Sequence, residues 1–281
     1  MDKLKEISET WPLAVGIGIL FLAFLGRIND IFVLHLDELW GELLLSKSFG
    51  LGLVIVYVVI VKDSLREIGF HTDEWALNLL LGMTLFVGVY FFAYGLEYML
   101  LTLLAKEPNL IIKVITSKPG VGFWFIIWII LGNLITAGVE ESLFRGLLTS
   151  KLRTSFSFWT ANFFQALLFG LWHLVWPIKR LMGGQVGGQT AAFTGSMLLL
   201  VAVVNGFVWG YMYLKTNSLW ACWMANVAAS TILNLVHIES QFGLDGLQAV
   251  RGTGIMLGAI VSMLAIKYIA EEFKLEEAAA W

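Results

Sequence analysis

Apolar runs separated by short polar joints dominate the chain from about residue 11 to residue 270. They centre in 11–26, 48–62, 76–104, 120–140, 157–176, 195–214, 219–238 and 252–270. A helix needs about 20 apolar residues to cross a bilayer with its backbone groups satisfied internally. The pattern therefore predicts an all-α polytopic membrane protein with about eight transmembrane helices in a single domain, 1–281, although the first run is short for a span. Between Arg27 and Leu45 the period changes. Ile28, Ile31, Phe32, Leu36, Leu39, Trp40 and Leu43 recur at helical spacing, while Asn29, Asp30, Asp37, Glu38 and Glu42 fall mostly elsewhere. That spacing predicts an interfacial amphipathic helix near the N-terminus.

Composition agrees with the pattern: 58% of the residues are hydrophobic and 14% charged, with a mean hydropathy of +0.80. The chain reads as a multi-pass integral membrane protein, of the cell membrane in a prokaryote or the endoplasmic reticulum in a eukaryote. The first run lacks a small-residue cleavage site and reads as a retained span. Lys and Arg summed over alternate loops nearly balance, so the positive-inside rule assigns no orientation. A formal charge of −3 without a basic block argues against nucleic acid as a partner. The single cysteine, Cys222, excludes an intrachain disulfide and a cysteine-based zinc cluster, and reads as a small core residue. Glu97 reads as an end-of-helix carboxylate reaching the interface.

Three segments carry polar groups where apolar ones are expected. In Val139-Glu140-Glu141-Ser142-Leu143-Phe144-Arg145, three charged residues sit at bilayer depth, where each costs a few kcal/mol unless paired, hydrated or functional. Glu141 and Arg145 are four residues apart and share a helix face, whereas Glu140 is rotated by roughly 100° from its neighbour. This assigns charge neutralisation to Glu141 and Arg145 and leaves Glu140 for chemistry. The second segment ends in His173, with Asn162, Ala166 and Phe169 close to the same helical face and Gln165 beside it. The third presents Asn226, Ser230, Asn234 and His237 as one stripe.

Glu140 and His173 can share the activation of a water, and Asn226 with Ser230 can donate hydrogen bonds to the oxyanion formed when that water attacks a carbonyl. Glu and His are also zinc ligands. The sequence has no His-Glu-x-x-His, however, and Asn and Ser are poor ligands, so a metal-free site with no cofactor is expected. The chemistry is amide hydrolysis without a covalent intermediate. The bland alternative is a buried ion pair and interhelical polar contacts that only fix helix packing.

Glu140-Glu141-x-x-x-Arg145, then Phe169-x-x-x-His173, then a Trp220-led helix with a polar site six residues on, resemble the intramembrane CAAX protease and bacteriocin-processing family. The span order resembles its CAAX prenyl protease 2 branch, the Ras-and-a-factor converting enzymes. The motifs fall within about 121–238. The resemblance implies cleavage of a prenylated CAAX protein or peptide after the modified cysteine, releasing a C-terminal tripeptide. It makes Glu140 the activating base and His173 its partner, and has Glu141 and Arg145 hold the site together. The family's third motif is usually a histidine followed four residues later by an asparagine. Here Asn226 and Ser230 stand in those places, which sets full activity in question. Two readings from other classes compete: a non-catalytic or immunity-type relative, and a proton-coupled transporter using the same polar groups. The absence of internal repeats weighs against the transporter.

Overall fold

A computed structural model of the chain describes residues 2–36, 44–61, 66, 68–71, 73–114, 122–273 and 275. The helices are α1 (Asp2–Thr10), α2 (Pro12–Ile28), α3 (Leu44–Val61), α4 (Trp75–Leu103), α5 (Phe123–Glu141), α6 (Phe158–His173), α7 (Val175–Met182), α8 (Gly188–Thr216), α9 (Leu219–Leu235) and α10 (Gln248–Glu272). Among the described residues, six stretches are long and apolar enough to cross a bilayer: Pro12–Val33, Trp75–Leu103, Phe123–Arg153, Phe158–Met182, Gly188–Thr216 and Gln248–Glu272. Two shorter apolar helices, Leu45–Val61 and Leu219–Leu235, fall on the remaining predicted runs. The protein is an all-α polytopic membrane protein.

Helix boundaries follow local chemistry. Ser157 and Ser218 cap α6 and α9, accepting the backbone N–H of Thr160 and Trp220. Asn217, in the left-handed region at φ +47°, ends α8 and turns the chain into α9. Side-chain amides then bind helix to helix, as expected where lipid supplies no hydrophobic drive for association. Asn162 and Gln165 of α6 donate to the backbone carbonyls of Phe207 and Gly206 on α8, at 3.0 and 2.9 Å. Asn234 of α9 donates to Asn133 of α5 at 3.1 Å. These three residues hold helices together and take no part in the cluster around Glu140.

Three expectations need correction. The apolar run at 219–238 is not helical to its end: α9 stops at Leu235, and the chain continues as strand β2 (Val236–Ser240). With β1 (Asn109–Ile112) and β3 (Gly243–Leu244) it forms an antiparallel sheet in the order β1-β2-β3, with Ile111 opposite His237. Extended backbone at a helix end is tolerated because the strands satisfy one another's groups. Second, Arg27 and Asp30 do not lie on an interfacial helix. The first span runs on through Ile28 and a π-helical turn, Asn29–Val33, and both charges are buried, 4% and 0% exposed. The remainder of the predicted amphipathic helix, including Asp37, Glu38, Leu39, Trp40, Glu42 and Leu43, falls outside the described residues.

Glu97 also departs from expectation. It is fully buried and receives Arg251 Nε at 2.6 Å. Arg251 also donates to Asp245 at 2.6 Å, and Asp245 in turn pairs with His237 at 2.8 Å. Arg251 thereby ties α4 and α10 to the sheet. His237 belongs to this network and not to the Glu140 site. Cys222 is a buried core residue, as expected.

Candidate active site

Glu140 and Glu141 are the last residues of α5, where the α-helix gives way to a π-helical segment, Ser142–Leu148, before a final α turn, Thr149–Arg153. Single-turn π segments inside helices recur at functional sites because they re-aim side chains without breaking the backbone ladder. Thr149 supports this one, its hydroxyl donating to the carbonyl of Phe144 at 2.8 Å.

The two carboxylates have separate environments. Glu141 is fully buried and takes Arg145 Nη1 at 3.1 Å within its own helix. Arg145 is equally buried, and its guanidinium faces the rings of Phe169 at 4.3 Å and Trp209 at 5.2 Å. Aromatic faces supply the negative electrostatic surface that a desolvated cation requires. Gly206 on α8 makes room for this packing: a Cβ there would stand 3.2 Å from Arg145 Nη2.

Glu140 lies at the wall of a small, partly open cavity between α2, α3, α5 and α6, with room for about one water molecule. Its Oε1 accepts the indole N–H of Trp172 at 3.0 Å and lies 3.7 Å from Arg27 Nη1. Its Oε2 receives Asn226 Nδ2 at 3.3 Å. The same nitrogen donates to Glu141 Oε1 at 2.8 Å, so Asn226 bridges the carboxylate pair. Ser230 completes the set by donating to Asn226 Oδ1 at 3.1 Å, which orients the amide with its nitrogen toward the acids.

His173 is half-buried, and its Nδ1 stands 2.8 Å from the Phe169 carbonyl four residues back. A carbonyl only accepts, so Nδ1 carries the proton and Nε2 of the neutral ring presents its lone pair. His173 and Glu140 interact electrostatically, and no direct hydrogen bond joins them. Phe169 packs edge-on against the imidazole at 4.7 Å.

Glu140, Glu141, Arg145, Asn226 and Ser230 thus form one connected hydrogen-bonded cluster, with His173 beside Glu140. Two residues of this surround escaped the sequence reading. Trp172 sits next to His173 in the chain, and nothing in the apolar spacing marks its indole as a donor to a carboxylate on another helix. Arg27 is a lone cation at the end of an apolar run, and its burial was the missing information. Among the described residues no three His, Cys, Asp or Glu side chains converge as metal ligands do.

Residues 122–232 match the family model of Rce1-like proteins, type II CAAX prenyl endopeptidases. The chain is also 23% identical over 222 residues to "Putative membrane peptidase YdiL" of Bacillus subtilis (strain 168), covering 76% of this chain and 78% of that protein. Both similarities are to membrane peptidases. The family match covers the glutamate, histidine and asparagine elements of the cluster, while Arg27 lies outside it.

Proposed function

We propose that this protein is an intramembrane endopeptidase that hydrolyses the peptide bond after a prenylated cysteine and releases a C-terminal tripeptide. The observation that carries this reading is the Glu140 carboxylate: buried among apolar helices, held by three neighbours, and still facing a cavity. A purely structural glutamate is better served by the closed pairing that Glu141 has with Arg145.

The steps draw on Glu140 and the polar groups around it. Glu140 takes a proton from a water in the cavity, and the water oxygen bonds to the carbonyl carbon. His173 Nε2 accepts a hydrogen bond from the water's remaining O–H, which stays on the attacking oxygen, and so orients the attack. The negative charge arising on the carbonyl oxygen takes one N–H of Asn226. The 3.3 Å bond to Glu140 is the longer of that amide's two and the one given up, since Glu140 becomes neutral at the same moment. Collapse breaks the carbon–nitrogen bond, and the Glu140 carboxyl returns its proton to the leaving nitrogen. Glu141, Arg145 and Ser230 keep Asn226 in register.

Purified protein in liposomes, given a quenched fluorescent farnesyl-CAAX peptide, is expected to cleave on the C-terminal side of the prenylated cysteine and to lose that activity in Glu140→Ala. Survival of cleavage in Glu140→Ala overturns the mechanism, and its absence in folded wild type overturns the reaction. Repeating the assay with a chelator tests the metal-free arrangement.

A further inference from the structure

Glu140 meets a cation from outside the family-matched segment. Arg27 of α2, 4% exposed, brings Nη1 to 3.7 Å from Glu140 Oε1. That is ion-pair distance but beyond hydrogen-bond length, so the guanidinium attracts the carboxylate without donating to it. Its position is set by stacking: the rings of Trp172 and Trp176 lie 4.8 and 5.8 Å from the guanidinium carbon. Trp172 thereby has two tasks. Its ring faces Arg27, and its indole N–H donates at 3.0 Å to the same oxygen that Arg27 approaches. Both members of the ion pair also stand at equivalent places in their helices. Arg27 comes two residues before the π-helical turn Asn29–Val33, and Glu140 two residues before the π-helical segment Ser142–Leu148. Such segments recur at functional sites. Asp30, inside the first of them, accepts the backbone N–H of Ser46 at 2.8 Å and ties that turn to α3.

The two oxygens of Glu140 are therefore unequal. Oε1 faces a cation and a short hydrogen bond, whereas the bond that Asn226 gives to Oε2 is 3.3 Å long. We propose that Arg27 is a positioning residue for the base: with Trp172 it anchors Oε1, so that Oε2 is the oxygen that takes the water's proton. This rests on the peptidase reading of Glu140 and adds to it which oxygen reacts and what holds the other. A carboxylate among apolar helices needs an opposite charge or donors to stay ionised, and a base must be ionised before each turnover. The guanidinium supplies that charge on the side of Oε1, where it does not compete for the incoming proton. In the transfer the water's O–H bond breaks and the proton binds Oε2. The electron pair left on the water oxygen forms the bond to the carbonyl carbon. Glu140 is then neutral, and Arg27 remains compensated because it has partners besides Glu140.

The test compares Arg27→Gln and Arg27→Lys with wild type, as full chains in liposomes on the farnesyl-CAAX peptide, and adds melting curves in detergent. Arg27→Gln is expected to lower kcat by roughly 10- to 100-fold, the effect of one contact to a charged group, at unchanged KM. Arg27→Lys keeps the charge but not the planar stack on Trp172, and its kcat should fall in between. A wild-type kcat in Arg27→Gln overturns the assignment and leaves the peptidase standing. A raised KM at unchanged kcat does the same, because it makes Arg27 a substrate contact. A kcat in Arg27→Lys no higher than in Arg27→Gln also counts against the assignment. Cleavage absent from folded wild type overturns the peptidase reading and the assignment with it. The melting curves read the pair independently of turnover. Arg27→Gln leaves Glu140 charged without its cation, so it should lower the melting temperature more in the wild-type background than in Glu140→Gln. Equal losses in the two backgrounds show that Arg27 does not act through Glu140, and overturn the assignment. If Arg27→Gln does not fold, the double variant with Glu140→Gln decides: folding regained supports the pair, and continued failure to fold overturns it.

Discussion

Trp172 donates its indole N–H to Glu140 Oε1 at 3.0 Å, so the tryptophan next to His173 in sequence holds the carboxylate that His173 is proposed to assist. The ring also packs against Phe24 and Phe144 at 5.8 and 5.7 Å. Trp172→Phe keeps much of that packing and deletes the donor. A hydrogen bond to a charged group is worth about 1.5–3 kcal/mol, so kcat/KM on a farnesyl-CAAX peptide is expected to fall by roughly 10- to 150-fold. The melting temperature should shift by only a few degrees. A variant with full activity removes Trp172 from the site.

Glu140 and Glu141 are neighbours in sequence and opposites in expected behaviour. Glu140→Gln preserves shape and an acceptor for Trp172 while removing the base. It should fold normally and lose at least about 100-fold in turnover, the lower range for general base catalysis. Glu141→Ala strands the buried Arg145 guanidinium, and breaking such a pair costs about 3–5 kcal/mol. Thermal unfolding in detergent should therefore separate the two variants: a large loss for Glu141→Ala and little for Glu140→Gln. The reverse order would exchange the roles assigned to them.

The site was legible in sequence where polar residues interrupt apolar runs at helical spacing. Glu141 and Arg145 do share a face, and Asn226 meets the glutamates from another helix with Ser230 bonded behind it. What periodicity could not supply was the partner across the bundle. Asn162, Asn234 and His237 lie in the same kind of stripe as Asn226, yet they serve packing or the sheet, because a stripe records which face is polar and not what faces it. Arg27 and Asp30 misled for a related reason. Charges beside an apolar run read as an interface, whereas here the helix continues and buries both. The end of α9 was hidden because Val236 and Ile238 suit a strand and a membrane helix equally well by hydropathy.

Asp245 gives the sheet a defined pH limit. Burial works against its ionisation, but the Arg251 guanidinium, His237 and the Ile238 N–H together hold its carboxyl below the ordinary carboxylate value. A group whose pKa is depressed on folding contributes stability that is present above its unfolded pKa of about 3.9 and is lost as pH falls through the lower folded value. Hydrogen exchange at the Ile238 amide, which donates to Asp245 Oδ1 at 3.1 Å, should stay slow from neutrality to about pH 4 and quicken below it. Asp245→Asn should abolish that dependence. Asparagine is the right replacement because residue 245 sits at φ +53°, a conformation it tolerates. An unchanged pH profile in Asp245→Asn assigns the acid limit to another group.

The position of Asn226 depends on how closely α9 approaches α4. Gly82 of α4 lies against α9 so tightly that a Cβ there would collide with the Ala221 carbonyl and stand 3.0 Å from the Ala225 nitrogen. Both obstacles are backbone, so neither can swing aside, and Gly82→Ala must push the helices apart. Overpacking of this kind costs about 1–3 kcal/mol or more, and the displaced helix carries the amide that bridges Glu140 and Glu141. The variant is expected to melt lower and to lose peptide hydrolysis together. Gly88, two turns along the same helix, supplies the control, because a Cβ there meets nothing within 4 Å. Gly88→Ala should leave activity unchanged and stabilise the helix slightly, by up to about 1 kcal/mol. Melting curves and hydrolysis rates of the two variants side by side check the relationship: a Gly82→Ala protein that melts lower but keeps full activity would show that the Asn226 bridge survives displacement of its helix and is not what limits the reaction.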